Sequence, residues 1–241
     1  MANLLVEIGN TALKAAWAEG TVLGKTFRYQ GEKMLEYILS LTEKEKPEVL
    51  TVATAREVTP DEEEVLSREC RHLMILDRTH KDFLDTYSLP RDLTYDRAAS
   101  VVAAGFLFKE KSCTICDFGT TLKIEFVDEQ GHYEGGNISV GCRTRFKALN
   151  RYSRSLPLVN TPEEVKSTGL TEKESIESGV ILGIKFEIEG YAALKPQNVL
   201  LFTGGDAVYF AGKMKKSIFV VCNLVLIGLA LITEDYVRKF V

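Results

Sequence analysis

Cysteine is scarce and scattered in this chain. Five stand at 70, 113, 116, 142 and 222. An odd number without framework spacing excludes a disulfide scaffold and suits a reducing cytoplasm. Cys113-Thr114-Ile115-Cys116 has the form of a C-x-x-C pair, but it lies in an apolar run with no second pair, and reads as core strand. The three histidines, His72, His80 and His132, show no ligand spacing. Positive charge is not in surplus either. A net charge of −4 argues against a nucleic-acid binder with a basic surface, while leaving room for a locally positive ATP pocket. No apolar run is long enough for a membrane span: Ile218 to Ile232 covers 15 residues and holds Asn223, so it reads as a buried strand followed by a buried helix. The start, Met-Ala-Asn-Leu-Leu, lacks a basic region, so no signal peptide is expected. What remains is ordinary for a globular protein. With 45% hydrophobic and 27% charged residues, disorder is excluded. The 241 residues suffice for one large or two medium domains with real cores.

One stretch organises the rest. Val6-Glu7-Ile8-Gly9-Asn10-Thr11-Ala12-Leu13-Lys14 has a near-copy at Cys116-Asp117-Phe118-Gly119-Thr120-Thr121-Leu122-Lys123. Glu7 answers Asp117, Gly9 answers Gly119, Asn10 answers Thr120 and Thr11 answers Thr121; the lysine is offset by one. Each copy sets a carboxylate and then a glycine between two apolar, strand-like runs. The two lie nearly half a chain apart, which points to an internal duplication. Glycine lets the backbone turn sharply and approach a ligand closely. The N–H groups of such a turn, with threonine hydroxyls, can hold phosphate oxygens. A strand-end carboxylate can hold a hydrated Mg²⁺, which uses few protein ligands. The alternative for either copy alone is a plain β-hairpin with a glycine at positive φ.

Periodicity supplies the surrounding elements. Strands are expected at 4–8, 12–17 and 21–29, a helix over 31–41, a strand at 48–53, and a helix opened by Thr59-Pro60-Asp61-Glu62 as a capping box. A strand at 73–76 and a helix over 96–108 complete the first half. The second half repeats the pattern, with strands at 113–116, 122–127 and 133–140, then a helix over 142–152. A long helix over 171–191 follows, with Thr171 and Glu174 as a second capping box and Ile176, Val180, Ile184 and Ile188 on one stripe. Strands at 199–203 and 219–221, with a helix between them, and a helix over 224–240 close the chain. The expected division is 1–108 and 109–241, each half α/β, with a ligand cleft between them.

Further pieces join the two turns: Tyr87-Ser88-Leu89-Pro90, Leu93-Thr94-Tyr95-Asp96-Arg97-Ala98-Ala99, Gly135-Gly136-Asn137-Ile138-Ser139-Val140-Gly141, Ser175-Ile176-Glu177-Ser178-Gly179, and Thr203-Gly204-Gly205-Asp206-Ala207. Any one of these is a weak signal. In this order, with Gly-Asn-Thr and Asp-x-Gly-Thr, the set resembles the type III pantothenate kinases of the actin-like, ribonuclease H-like superfamily that includes Hsp70 and sugar kinases. The resemblance runs from Val6 into the last helix.

That resemblance implies duplicated actin-like domains with an inter-domain nucleotide cleft. The implied activity is ATP-dependent phosphorylation of pantothenate, the first step towards coenzyme A. It implies that Glu7, Ile8, Gly9, Asn10, Thr11, Ala12, Leu13 and Lys14 form the first phosphate segment, with Glu7 serving Mg²⁺. Asp96 is implied as the general base. Tyr87, Thr94, Tyr95, Asp96, Arg97 and Thr171 are implied around pantothenate. Asp117 is implied as the ligand of K⁺ or NH₄⁺, Thr120 as an ATP contact, and Gly204 and Gly205 as part of the adenosine-side loop. A cytoplasmic homodimer, with no nucleic acid and no membrane partner, is implied as well. Some positions depart from the usual pattern: Glu7 stands for Asp, Thr94 for Gly, Val140 for Pro, Lys123 and Glu125 for Thr and Asp, and Glu172 for Thr. Two rival readings are a sugar or polyol kinase of the same superfamily, and a non-catalytic regulatory relative. Asp96 could also be a simple helix cap.

Overall fold

The computed structural model describes residues 2–241. Packing divides the chain into two compact units, Met1–Leu107 with Asn223–Val241, and Phe108–Cys222. In the first unit β1 (Ala2–Ile8), β2 (Leu13–Glu19) and β3 (Val22–Tyr29) form an antiparallel meander, followed by α1 (Met34–Thr42), β4 (Val49–Thr54), α2 (Pro60–Ser67), β5 (His72–Leu76), α3 (Asp82–Thr86) and α4 (Tyr95–Leu107). The second unit repeats this with β6 (Cys113–Phe118), β7 (Thr121–Val127), β8 (Tyr133–Val140), α5 (Cys142–Tyr152), α6 (Glu172–Leu194), β9 (Val199–Gly204), α7 (Ala207–Ala211) and β10 (Ile218–Val220). The final helix is α8 (Leu224–Phe240).

The sheets have the same topology. Their strand orders are β3-β2-β1-β4-β5 and β8-β7-β6-β9-β10. In each, the first strand of the unit lies in the middle, antiparallel to the next strand and parallel to the one beyond the helix. A central strand is covered on both faces, so it reads as a continuous apolar run. Six of the seven residues of β1, and all six of β4, are buried. The meander ends β3 and β8 lie at sheet edges and alternate or expose their residues.

Period-two alternation sorts the side chains of β1 between two cores. Leu4, Val6 and Ile8 pack with Ile38 of α1 and Leu66 of α2. Leu5 packs on the other face with Tyr95 and Ala99 of α4 and with Val225, Leu226, Leu229 and Ala230 of α8. Glu7 shares the Leu5 face by the same alternation. In the second unit Cys116, Phe118, Leu122, Ile124 and Phe202 face α5, α6 and α7, where Ile176, Val180, Ile184 and Ile188 form the expected stripe.

Several expectations are corrected here. The last helix, expected in the second half, belongs to the first unit. Leu224 to Thr233 is buried except at Ile227, and Thr233 shares a 2.7 Å hydrogen bond with Thr51 of β4. A helix apolar on all sides carries no mark of which sheet it will cover. The strand expected to be buried before it is an edge strand: in β10, Phe219 is 52% exposed. The short helix α3 was not expected. The Thr59 capping box forms in both directions, and the Arg56 guanidinium, with its hydrogen bond to Glu62, pulls that carboxyl down to about 2. At α6 only half of a box forms. Thr171 accepts from the Glu174 N–H at 3.2 Å, but Glu174 turns to the Leu170 N–H at 2.9 Å and to Lys166.

Two substitutions test this packing. Gly228 of α8 lies on α4 so closely that a Cβ would stand 1.9 Å from the Ala99 carbonyl oxygen. Gly228→Ala should cost ~1–3 kcal/mol by overpacking, read as a fall in the thermal midpoint. Gly190 of α6 has nothing within 4 Å of its would-be Cβ, and Gly190→Ala should raise stability by ~0.5–1 kcal/mol. Equal melting of the two variants would count against the α4–α8 contact.

Asp77, just after β5, is buried. It accepts from the Val58 N–H at 2.9 Å, the Thr79 N–H and hydroxyl at 2.8 and 2.7 Å, and the His80 N–H at 2.9 Å. Burial alone would raise its pKa, but these donors outweigh it and hold the carboxyl well below the usual carboxylate range. A depressed native pKa stabilises the fold above the unfolded value, and this is lost as pH falls through the native one. Asp77→Ala should therefore cost roughly 2–3 kcal/mol at neutral pH. In denaturation at stepped pH, its deficit should shrink towards strong acid.

Candidate active site

The first of the two turns is built by strand register. Glu7 pairs with Lys14 and Ile8 with Leu13 across β1 and β2, leaving Gly9 to Ala12 as the turn. It is closed by the Gly9 N–H on the Ala12 carbonyl at 3.0 Å. Asn10 and Thr11 are exposed. The Lys14 ammonium lies 3.3 Å from Glu7 Oε2. Gly9 is not among the residues of positive φ, and a Cβ there would stand 3.3 Å from the Ala12 oxygen. The positive-φ hairpin reading is thereby set aside. What the glycine supplies is bare backbone at the start of the turn.

The start of α4 is fastened to this turn. Tyr95 is buried, and its hydroxyl donates to the Ile8 carbonyl at 3.1 Å. The next residue, Asp96, is half-buried. Its Oδ1 accepts from the Thr94 hydroxyl at 2.5 Å and from the Arg97 N–H at 3.0 Å. The Thr94 carbonyl accepts from the Ala98 N–H at 2.9 Å, so Thr94, not Asp96, is the cap residue. Asp96 lies inside the first turn of the helix, and its carboxylate is oriented by the threonine that stands where the resemblance expects glycine. Arg97 is half-buried beside it.

The second turn repeats the first with one residue fewer. Asp117 pairs with Lys123 and Phe118 with Leu122, and the Gly119 N–H bonds to the Thr121 carbonyl at 3.0 Å. Its shorter loop accounts for the lysine offset seen in sequence. The Lys123 ammonium is 3.5 Å from Asp117 Oδ2. Two other segments buttress this turn. The Thr120 carbonyl accepts from the Gly141 N–H at 3.1 Å and the Thr144 hydroxyl at 2.8 Å. The Gly205 N–H bonds to the Phe118 carbonyl at 2.9 Å. Gly204 has φ +91°, and a Cβ on it would stand 2.6 Å from Asp117 Oδ1, so glycine is required there on both counts. Thr120, Gly204 and Gly205 are thus brought to one end of the second sheet. Asp206 follows them; burial raises its carboxyl pKa, against the pull of Arg143.

The remaining expected residues fall elsewhere. The Tyr87 hydroxyl donates to Asp235 of α8 at 2.6 Å, and burial, then that bond, raises its pKa far above the usual phenol range. Thr171 caps α6. Cys113 and Cys116 are buried in β6, and burial pushes the Cys113 thiol up to about 11, as core residues require. Among the described residues no group of three or more His, Cys, Asp and Glu could hold a metal. Sequence reasoning did not assign a role to Thr144, which needed the β8–α5 junction to reach Thr120, or to Lys123, whose partner is set by register.

Comparison with known proteins places this geometry. The type III pantothenate kinase family matches residues 3–194. The type III pantothenate kinase of Bacteroides fragilis is 36% identical over 94% of this chain and 95% of its own length. That of Flavobacterium psychrophilum is 34% identical over 92% and 95%. Among solved structures, the ROK hexokinase of Thermus thermophilus superposes with a TM-score of 0.54 at 11% identity, covering 96% of this chain and 98% of that one; this likeness is one of fold. A duplicated sheet, a phosphate-type turn at the end of each central strand, and a family match through both turns agree: this chain belongs to the type III pantothenate kinase family.

Proposed function

We propose that this protein transfers the γ-phosphoryl group of ATP to the primary hydroxyl of pantothenate, giving 4′-phosphopantothenate for coenzyme A synthesis. The observation that carries this reading is the Tyr95–Ile8 hydrogen bond, which holds Asp96 one residue from an anchor on the first phosphate turn. Phosphoryl transfer needs positioning, charge neutralisation and a base for the attacking hydroxyl. Backbone N–H groups at Gly9–Ala12 and Gly119–Thr121 suit phosphate oxygens, with the Thr11 and Thr120 hydroxyls and Lys14 beside them. Gly204 and Gly205 serve the adenosine side. Asp96 accepts the hydroxyl proton, with Thr94 orienting it. Arg97 suits the pantothenate carboxylate as a fork. Tyr95 contributes through its tether, and Tyr87 through its hydrogen bond to Asp235 of α8.

A divalent metal goes with ATP in such kinases, and Mg²⁺ fits the donors present. Glu7 is a single carboxylate beside exposed turn residues, and its partner Lys14, 3.3 Å away but 34% exposed, can turn to the phosphates, where the more enclosed Lys123 cannot; such a site leaves the ion its waters and phosphate oxygens. When bound, Mg²⁺ neutralises charge on the transferred phosphoryl group. A separate K⁺ or NH₄⁺ fits Asp117 less well, because Lys123 already faces that carboxylate. The five thiols are free, which suits the cytoplasm, and no helix among the described residues is long and apolar enough to cross a membrane.

A homodimer is part of the same reading. An apolar groove of about 1000 Å³ runs along α5 and α6, lined by Leu149, Tyr152, Ile176 and Val180. Tyr152 is 82% exposed, and exposed apolar surface of this kind marks association sites. Thr171, at the start of α6, then lies near the interface. Light scattering at micromolar concentration should give a dimer mass, and Leu149→Glu should shift it towards monomer. A monomeric parent that still turns over would sink this assignment.

ADP release measured on pantothenate and on a panel of sugars and polyols tests the substrate. Turnover on a sugar alone would favour the sugar-kinase reading, and none on any acceptor the regulatory one. Asp96→Asn retains size but cannot take the proton. It should lower kcat by roughly 10²-fold or more while ATP binding by calorimetry stays nearly unchanged. Wild-type turnover in that variant would remove Asp96 from the role of base.

A further inference from the structure

Both phosphate turns carry the same charge pair, but the lysine of the second is the more enclosed. Lys14 and Glu7 side chains are 34% and 11% exposed, Lys123 and Asp117 19% and 18%. Asp117, Lys123 and Thr203 lie on one sheet face, since Asp117 pairs with Lys123 on one side and with Thr203 on the other. Glu125 is two residues along the same face of β7. It is 1% exposed and accepts from the Tyr133 hydroxyl at 2.9 Å. This face therefore sets two carboxylates near a turn suited to phosphate. Two like unit charges ~7 Å apart, the spacing of diagonal neighbours across two strands, repel by ~2 kcal/mol at an effective dielectric constant of about 20. Such a place needs a cation.

The chain supplies one. The Lys123 ammonium is 3.5 Å from Asp117 Oδ2, while Gly204 backs onto Oδ1. A lysine ammonium has the charge of K⁺ and three N–H donors, and its position is set by the cross-strand register, not by the salt in solution. The donor set around Asp117 is thus that of a satisfied ion pair and does not fit a separate monovalent cation. We propose that Lys123 is the built-in cation of the second phosphate turn, and that this enzyme works without K⁺ or NH₄⁺. The proposal rests on the pantothenate kinase reading.

Phosphopantothenate formation should be counted directly, so that no coupling enzyme brings a cation requirement of its own. With Na⁺ as the only monovalent cation, turnover of the parent should agree with that in K⁺ within about twofold. Lys123→Thr should lose about tenfold or more in Na⁺ and recover in K⁺ or NH₄⁺. Its thermal midpoint should rise in K⁺ over Na⁺, while that of the parent stays level. A parent that falls about tenfold in Na⁺ overturns the proposal, whether or not the variant folds. If pantothenate is not phosphorylated with any cation, the functional reading fails separately. The melting comparison then decides: a parent midpoint raised by K⁺ overturns the role of Lys123, and a level one upholds it.

Discussion

The placement of β1 and β6 at the centre of their sheets is the constraint on which the rest depends. Each has an antiparallel neighbour on one side and a parallel one on the other. The antiparallel neighbour forces a tight turn at the strand's end, and the parallel one brings a second segment to that same end. Burial on both faces makes these strands apolar, so the last polar residue before the turn stands out against them. Glu7 and Asp117 are those residues. Register then sets the lysine opposite each of them, through a longer loop in one unit and a shorter one in the other.

Packing carries this constraint to the chemistry. In the first unit α4 crosses the Leu5 face of the sheet, and its first residue reaches back to Ile8. On the same sheet face α8 lies against α4 with only a glycine, Gly228, at the Ala99 carbonyl. The Tyr87–Asp235 hydrogen bond fastens the segment before α4 to the same helix. Asp96 is thus oriented by its neighbour Thr94 and located by a core tyrosine. A carboxylate held from two directions is pre-organised, which is what the role proposed for it demands. In the second unit the Gly141 and Gly205 N–H groups do comparable work, by bonding the carbonyls of Thr120 and Phe118.

The sequence by itself determined the duplication, the element order apart from α3, the two carboxylate–glycine turns and the Asp96-Arg97 helix start. These are local signals: a carboxylate and glycine between apolar runs, a helical stripe, a capping residue. They are legible because each is set by backbone geometry within a few residues. Only the tertiary structure decided where α8 belongs, because a helix apolar all round fits either sheet. It decided that Tyr95 is a buried tether, that Tyr87 gives its hydroxyl to Asp235, and that Glu174 turns to Leu170. It decided, too, that Lys123 faces Asp117. Each of these depends on which group a side chain meets across a strand or helix boundary. That is a matter of register and packing between segments distant in the chain, and no local pattern encodes it.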